Sequence, residues 1–281
     1  MMPLPHGLRS LPTAQACGPA AALDIRGLTV SYGGTSALFS VDYSVPTGCM
    51  SAIVGPNGAG KSTLAKAALG LIPRLSGDIR VFGSPVGQVM HRVAYVPQRA
   101  DIDWDFPATV FDVVAMGTHR RLGWLRWWRR TNRSVIQYCL ERVGMDNFAD
   151  RQIGALSGGQ QQRVFVARAL AQEADLYILD EPFAGVDAAA EHTLASVLRG
   201  LAAHGKSVVC IHHDLSTVGE YFQHGMLLNV RPIACGTIQQ AFTPANLQEA
   251  YGGRLAASQI GRLRGEMGSQ APVPAPMGAT P

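Results

Sequence analysis

"CMSAIVGPNGAGKST", residues 49–63, decides the fold. A short, nearly continuous apolar run leads into three closely spaced glycines, a lysine and two hydroxyl residues, and the helix-forming "LAKAALGL" follows. Such a run, bounded by turn residues, reads as a strand buried on both faces of a parallel sheet. The stretch "GPNGAGKST" (55–63) satisfies G-x-x-x-x-G-K-[ST] in the strand-to-helix context that this phosphate loop requires. Gly55, Gly58 and Gly60 let the backbone wrap closely, so that successive N–H groups and the helix dipole can face a polyphosphate. Lys61 would neutralise β- and γ-oxygens and Ser62 would hold Mg²⁺, while Asn57 and Thr63 belong to the same binding loop. A glycine-rich turn that merely caps a strand is the plain alternative, and the agreement of pattern with context argues against it. The loop implies nucleotide binding and leaves its purpose open.

Two further apolar runs, "DLYILD" (175–180) and "SVVCIHH" (207–213), read in the same way, and helical sequence follows each. By contrast "ALDIRGLTVSYGG" (22–34) and "LFSVDYSVP" (38–46) alternate apolar and polar residues, as half-exposed antiparallel strands do. The order predicts an α/β fold with ligands at the carboxyl ends of its parallel strands. The chain has 281 residues, enough for one large or two modest domains, and no internal repeat. Its longest uncharged stretches are broken by Gly, Pro and polar residues, so no transmembrane span is expected. Five dispersed cysteines without a C-x-x-C pair argue against a disulfide framework and a zinc cluster, and favour a reducing cytoplasm. A net charge of +4 is too small to announce a nucleic-acid binder. Residues 1–21 and 254–281, rich in Pro, Ala and Gly, read as tails with too little bulky apolar content to order.

"LYILDEP" (176–182) is an apolar strand ending in two carboxylates. Asp180 would reach the magnesium shell, and Glu181, adjacent but differently directed, would orient or deprotonate a water. Alternatively the pair is an acidic cap for the next helix. "LSGGQQQR" (156–163) places Ser157, Gly158, Gly159 and Gln160 at a helix start, a second anion-binding turn in a chain that already has one. His212, His213 and Asp214 suggest a metal site, but neighbours on a strand end face opposite ways.

Taken in order, the phosphate loop, Gln98 in "YVPQ", "LSGGQ", "LYILDEP", "GVD" at 185–187 and His213 before Asp214 resemble the ATP-binding subunit of ABC transporters, over residues 22–253. The resemblance implies an α/β ABC-type P-loop ATPase core, an N-terminal antiparallel β subdomain and a helical signature subdomain at about 99–160. It implies ATP and Mg²⁺ as ligands, with Ser62, Gln98 and Asp180 on the metal and Glu181, His213 and Gln98 in catalysis. Tyr32 in "VSYGG" matches the aromatic that stacks on adenine, although it could equally be a strand tyrosine. The family pairs two copies head to tail, so Ser157 and Gly159 of one chain would touch the γ-phosphate held by Lys61 of the other, with Asp187 communicating across the dimer. The second glycine turn thus serves a partner's nucleotide.

"VPQRADIDWDFPATVFDVVAMG" (96–117), "LDEPFAGVD" (179–187) and "LLNVRPIACGTIQQAFTPANLQEAYGG" (227–253) look most like the ATPases of manganese, zinc and iron importers. That implies a membrane permease docked near Asp103–Pro107, an extracytoplasmic metal-binding protein, no nucleic acid, and a place at the cytoplasmic face of the membrane. Iron chelates, haem or another cargo, and a soluble ABC ATPase of translation or repair, are the alternatives. Phe106 is the expected anchor for the permease, whereas Trp104 could pack inward in an ordinary loop. "HRRLGWLRWWRR" (119–130) suits a solvated subdomain edge, a lipid headgroup surface or stacking on single-stranded nucleic acid.

Overall fold

The structure, a computed structural model, describes residues 17–102, 104, 106–118 and 130–253. The Arg/Trp stretch at 119–129 and the C-terminal tail lie outside the described residues, as do Asp103 and Asp105.

Among the described residues, ten strands form two sheets. The first is a four-stranded antiparallel sheet in the order β2-β1-β4-β5, built from β1 (Gly18–Tyr32), β2 (Thr35–Thr47), β4 (Ser76–Val81) and β5 (Ser84–Pro85). The second has six strands in the order β10-β9-β3-β8-β7-β6: β3 (Met50–Val54), β6 (Val93–Val96), β7 (Leu176–Asp180), β8 (Ser207–His212), β9 (His224–Asn229) and β10 (Arg231–Thr237). Strands β9, β3, β8, β7 and β6 run parallel, and β10 closes one edge antiparallel to β9.

The apolar runs of the sequence explain the parallel sheet. β3, β7 and β8 are buried along their whole length, and alternate residues enter two different cores. Met50, Ala52, Val54, Tyr177, Leu179, Val208 and Cys210 face one core, shared with the helices. Ile53, Ile178, Val209 and Ile211 face the other, shared with the antiparallel sheet and helix α1 (Lys61–Ala68). Each fully buried Val, Leu or Ile stabilises the fold by roughly 1.5–3 kcal/mol, so strands with two buried faces are mostly apolar, with Ser51, Asp180, Ser207 and His212 as their buried polar or charged residues.

Short helix α2 (Val86–Val89) precedes β6, and three helices then form a layer against one edge of the parallel sheet: α3 (Val110–Gly117), α4 (Arg130–Arg142) and α5 (Gly158–Ala171). Packing is close where α3 meets α5, since a Cβ on Gly117 would strike the Arg168 carbonyl. Further along the described residues come α6 (Ala188–Ala203), α7 (Leu215–Tyr221), α8 (Ile238–Ala241) and α9 (Pro244–Ala250).

Two expectations need correction. β1 starts at Gly18, inside the segment read as a tail, because the first residues pair with Pro46 and Thr47 at the end of β2. That pairing also brings Cys17 beside Cys49, which the structure joins as a disulfide with Cα atoms 5.3 Å apart. They lie 32 positions apart in sequence, but antiparallel pairing of β1 and β2 removes the distance. Cys139 and Cys210 are buried free thiols, and Cys235 is exposed.

Candidate functional site

Four of the expected loops leave the carboxyl ends of four neighbouring parallel strands. The phosphate loop follows β3, His213 follows β8, Asp180 ends β7 with Glu181 next, and Gln98 lies two residues beyond β6. Strand order β3-β8-β7-β6 therefore lines up residues far apart in sequence along one rim.

The loop itself is held by contacts that only glycine permits. A Cβ on Gly55 would collide with the Leu228 carbonyl of β9, and one on Gly60 would stand 2.5 Å from the Ala37 carbonyl. Gly60 also has φ of 91°, in the left-handed region, as it turns into α1. The loop is thus wedged between β9 and β2, with Asn57 and Gly58 exposed at its tip. The close approach to Ala37 sets the β1–β2 hairpin beside the loop, and Tyr32, at that hairpin's turn, is 54 % exposed. Val230 donates its N–H to the Ala59 carbonyl at 3.0 Å and steadies the loop from the β9–β10 turn.

Lys61 is buried, and its ammonium donates to the Gly55 and Pro56 carbonyls, each at 2.9 Å. Burial lowers its pKa, opposed by the nearby charges of Glu181 and Asp180. Ser62 and Thr63 are partly exposed in the first turn of α1. Asp180 is wholly buried, and neither carboxylate oxygen has a hydrogen-bond partner. Desolvation lifts its carboxyl to about 6, with the neighbouring Ser62 side chain pulling the other way and Glu181 adding to the rise. A buried carboxylate without partners is costly unless a cation compensates it. The hydroxyl of Ser62 and the oxygens of Asp180 form a hard oxygen donor set of the kind that suits Mg²⁺.

Glu181 has φ of 52°, a left-handed conformation that costs a non-glycine residue on the order of 1–3 kcal/mol. It breaks the alternation of the strand, so that Asp180 stays buried while Glu181 is partly exposed and accepts from Gln98 Nε2 at 3.3 Å. Glu181 and Gln98 border an open cleft of about 380 Å³, lined also by Arg99, Trp104, Gln162 and Ala184. His213 is exposed, while its neighbour His212 is buried and meets Thr217 Oγ1 at 2.7 Å. Desolvation, aided by His213, holds the His212 imidazole near a pKa of about 4 and so neutral. Among the described residues no cluster of three metal-ligating side chains occurs.

Ser157 caps α5 through a reciprocal box: its hydroxyl faces the Gln160 N–H, and Gln160 Oε1 accepts from the Ser157 N–H at 2.9 Å. Ser157 is exposed, Gly158 is partly buried and Gly159 is buried. A Cβ on Gly159 would stand 2.6 Å from the Gly185 carbonyl, so the signature turn and the "GVD" loop interlock. Asp187 caps α6, accepting from the Ala190 N–H at 3.0 Å, and the acidic-cap role considered for "DEP" belongs to this residue instead. Among the described residues no hydrogen bond or ion pair joins Ser157–Gln160 to the phosphate loop of the same chain.

In the segment after Gln98, Trp104 does pack inward, edge-on against Phe165, and its indole N–H donates to the Arg99 carbonyl at 3.0 Å. Phe106 instead is 56 % exposed. Sequence reading passed over Arg99, whose Nε donates to Gln161 Oε1 at 2.9 Å, and over Gln162, which reaches the Glu181 carbonyl at 3.5 Å. The glutamine run after "LSGG" marks only the α5 end of these contacts and gives no sign of Arg99.

The chain matches the family model described as "ABC transporter" over residues 38–184. It is 51 % identical over 249 residues to the zinc transport system ATP-binding protein TroB of Treponema pallidum, covering 89 % of this chain and 94 % of that one. It is 48 % identical over 233 residues to the manganese transport system ATP-binding protein MntB of Bacillus subtilis, covering 83 % and 93 %. Among solved structures it resembles CbiO1 of Clostridium perfringens, part of an ABC transporter complex, with a TM-score of 0.67 and 26 % identity over 88 % of this chain and 99 % of that one. With the phosphate loop, the paired carboxylates and the signature turn set on this fold, the chain belongs to the ABC transporter family as an ATP-binding subunit whose ATPase activity is coupled to transport.

Proposed function

We propose that this subunit energises the uptake of a transition metal, Mn²⁺, Zn²⁺ or Fe²⁺, through a separate membrane permease. The observation that carries the chemistry is the alignment of four loops on one rim with two partnerless Asp180 oxygens beside Lys61 and Ser62. The relatives named for zinc and manganese transport, about half identical over nearly the whole domain, support the cargo.

In this reading the phosphate-loop backbone and Lys61 bind the ATP phosphates, with Gly55, Asn57, Gly58, Gly60 and Thr63 shaping the cradle and Tyr32 stacking on adenine. Asp180, Ser62 and Gln98 would hold Mg²⁺, which would neutralise phosphate charge. Glu181 takes the proton of the attacking water, and its bond to Gln98 aims the carboxylate. His213, at the end of the strand between the phosphate loop and Glu181, braces the γ-phosphate side. Ser157, Gly158, Gly159 and Gln160 serve the nucleotide of a second, head-to-tail copy, for which the exposed Ser157 is available, and Asp187 reports across that interface.

No helix among the described residues is long and apolar enough to cross a membrane. The subunit would act at the cytoplasmic face, held by the permease, with an extracytoplasmic protein delivering the metal. Uptake of Mn²⁺, Zn²⁺ and Fe²⁺, each offered singly to cells lacking the chain, tests this. Uptake of at least one should fall and return with the wild-type chain but not with Glu181→Gln; unchanged uptake of all three would refute the cargo.

A further inference from the structure

Three glutamines follow the signature glycines, and each is bound differently. Gln160 closes the capping box with Ser157. Gln161, 2 % exposed, accepts from Arg99 Nε at 2.9 Å and donates to the Ile153 carbonyl at 3.2 Å. Gln162 donates toward the Glu181 carbonyl at 3.5 Å. On the other side of the cleft, Gln98 reaches Glu181 Oε2 at 3.3 Å, and the next residue in the chain is Arg99. Two consecutive side chains thus bridge from the end of β7 to the first turn of α5.

Arg99 is fixed in that bridge from several directions. A Cβ added to Gly158 would stand 3.2 Å from Arg99 Nε and 3.3 Å from its Cζ, so the guanidinium fills the space beneath the signature turn. Trp104 donates to the Arg99 carbonyl at 3.0 Å, lies 5.6 Å from its guanidinium and packs on Phe165 of α5. The bond to Gln161 is charge-assisted, and its acceptor is buried, so losing the donor leaves a buried carbonyl oxygen short of a partner. Arg99 itself stays exposed on its far side, so the bond can open without stranding a buried charge.

We propose that Arg99 is a positioning residue that passes the state of the chain's own ATP site, through Gln98 and Glu181, to the signature turn that serves the second copy's nucleotide. Gln98 and Arg99 share a peptide unit, so a backbone displacement that carries Gln98 toward or away from Glu181 also carries Arg99, which is bonded to Gln161 and packed beneath Gly158. This rests on the composite-site reading above. It adds a route by which filling one site readies the loop needed by the other, which is coupling through a physical contact.

The test uses the otherwise wild-type full chain with a non-hydrolysable ATP analogue supplied as the ATP, so that Glu181 keeps its bond to Gln98 and the nucleotide is not consumed. Light scattering gives the ATP concentration for half-maximal pairing, and a fluorescent ATP analogue gives affinity in the unpaired chain. Arg99→Ala and Gln161→Leu should each raise the ATP requirement about ten-fold, equivalent to about 1.4 kcal/mol. The double variant should be no worse than either single one, because both remove one bond. Arg99→Lys, which keeps charge without the planar fork, should recover part of the loss. Affinity in the unpaired chain should be unchanged. A lower melting temperature with an unchanged ATP requirement, or additive effects in the double variant, would overturn the proposal and leave Arg99 a packing residue. A parent chain that never pairs with ATP would overturn the composite-site reading and this proposal with it; a parent that pairs normally with or without Arg99 would overturn this proposal alone.

Discussion

Asp180 gives the sharpest quantitative prediction, because the feature that suits it to a cation makes it a burden to the nucleotide-free fold. Its carboxyl sits at about 6 in the folded chain against 3.8 for the free group, driven first by desolvation. The folded state therefore binds the proton more tightly than the unfolded state, and Asp180 is most favourable below pH 3.8. That contribution is lost as pH rises through about 6. At about 1.36 kcal/mol per pKa unit the full loss is on the order of 3 kcal/mol, of which about half falls between pH 5 and pH 8. Asp180→Asn preserves shape and removes the titration. Any cost of the buried amide is the same at every pH, so the difference between wild type and variant isolates the carboxylate. Urea unfolding of both proteins from pH 5 to pH 8, without nucleotide, should show wild type losing on the order of 1–2 kcal/mol relative to the variant. Adding Mg²⁺ and ATP should reverse the trend for wild type alone, since a cation beside the carboxylate favours its charged form. A pH-independent difference, or a wild type that gains on the variant as pH rises without ligand, would refute the reasoning.

Glu181→Gln should keep ATP binding while phosphate release falls by ~10²–10⁴-fold, as expected for loss of a general base, and gel filtration with ATP and Mg²⁺ should show a stalled dimer. A variant that hydrolyses ATP normally would remove Glu181 from that role. Phe106→Ala should leave the ATPase rate of the detached subunit intact, since the side chain is 56 % exposed and outside the cleft lining, while transport and co-purification with the permease fall. Loss of ATPase in the detached subunit would instead mark Phe106 as a structural residue.

How far the sequence could be read depended on the range of the interactions. Strands β3, β7 and β8 were legible because burial on both faces favours nearly continuous apolar runs, and the phosphate loop because its whole pattern lies within residues 55–63, between a strand and a helix. Ser157 at the start of α5 was legible too, since a capping box is local. Cys17 and Cys49 were misread because their proximity depends on the pairing of β1 with β2, which leaves no spacing rule behind. Asp187 was singled out by resemblance, yet its cap on α6 follows from its own position before an alanine-rich helix. The Arg99–Gln161 bond was invisible for a different reason: it joins residues 62 apart by side chains alone, and neither type is unusual where it stands.

The claim on which most of the account depends is that two copies complete each other's ATP site. Thiol crosslinking tests it directly, in a Cys235→Ser, Glu181→Gln background that removes the exposed native thiol. One chain carries Asn57→Cys at the exposed tip of the phosphate loop, the other Ser157→Cys at the exposed signature turn, and a short bifunctional reagent is added with and without ATP and Mg²⁺. The account predicts a crosslinked pair that forms between the two different chains and only with nucleotide. Equal crosslinking without ATP, or none at all while the chains still bind ATP, would contradict it.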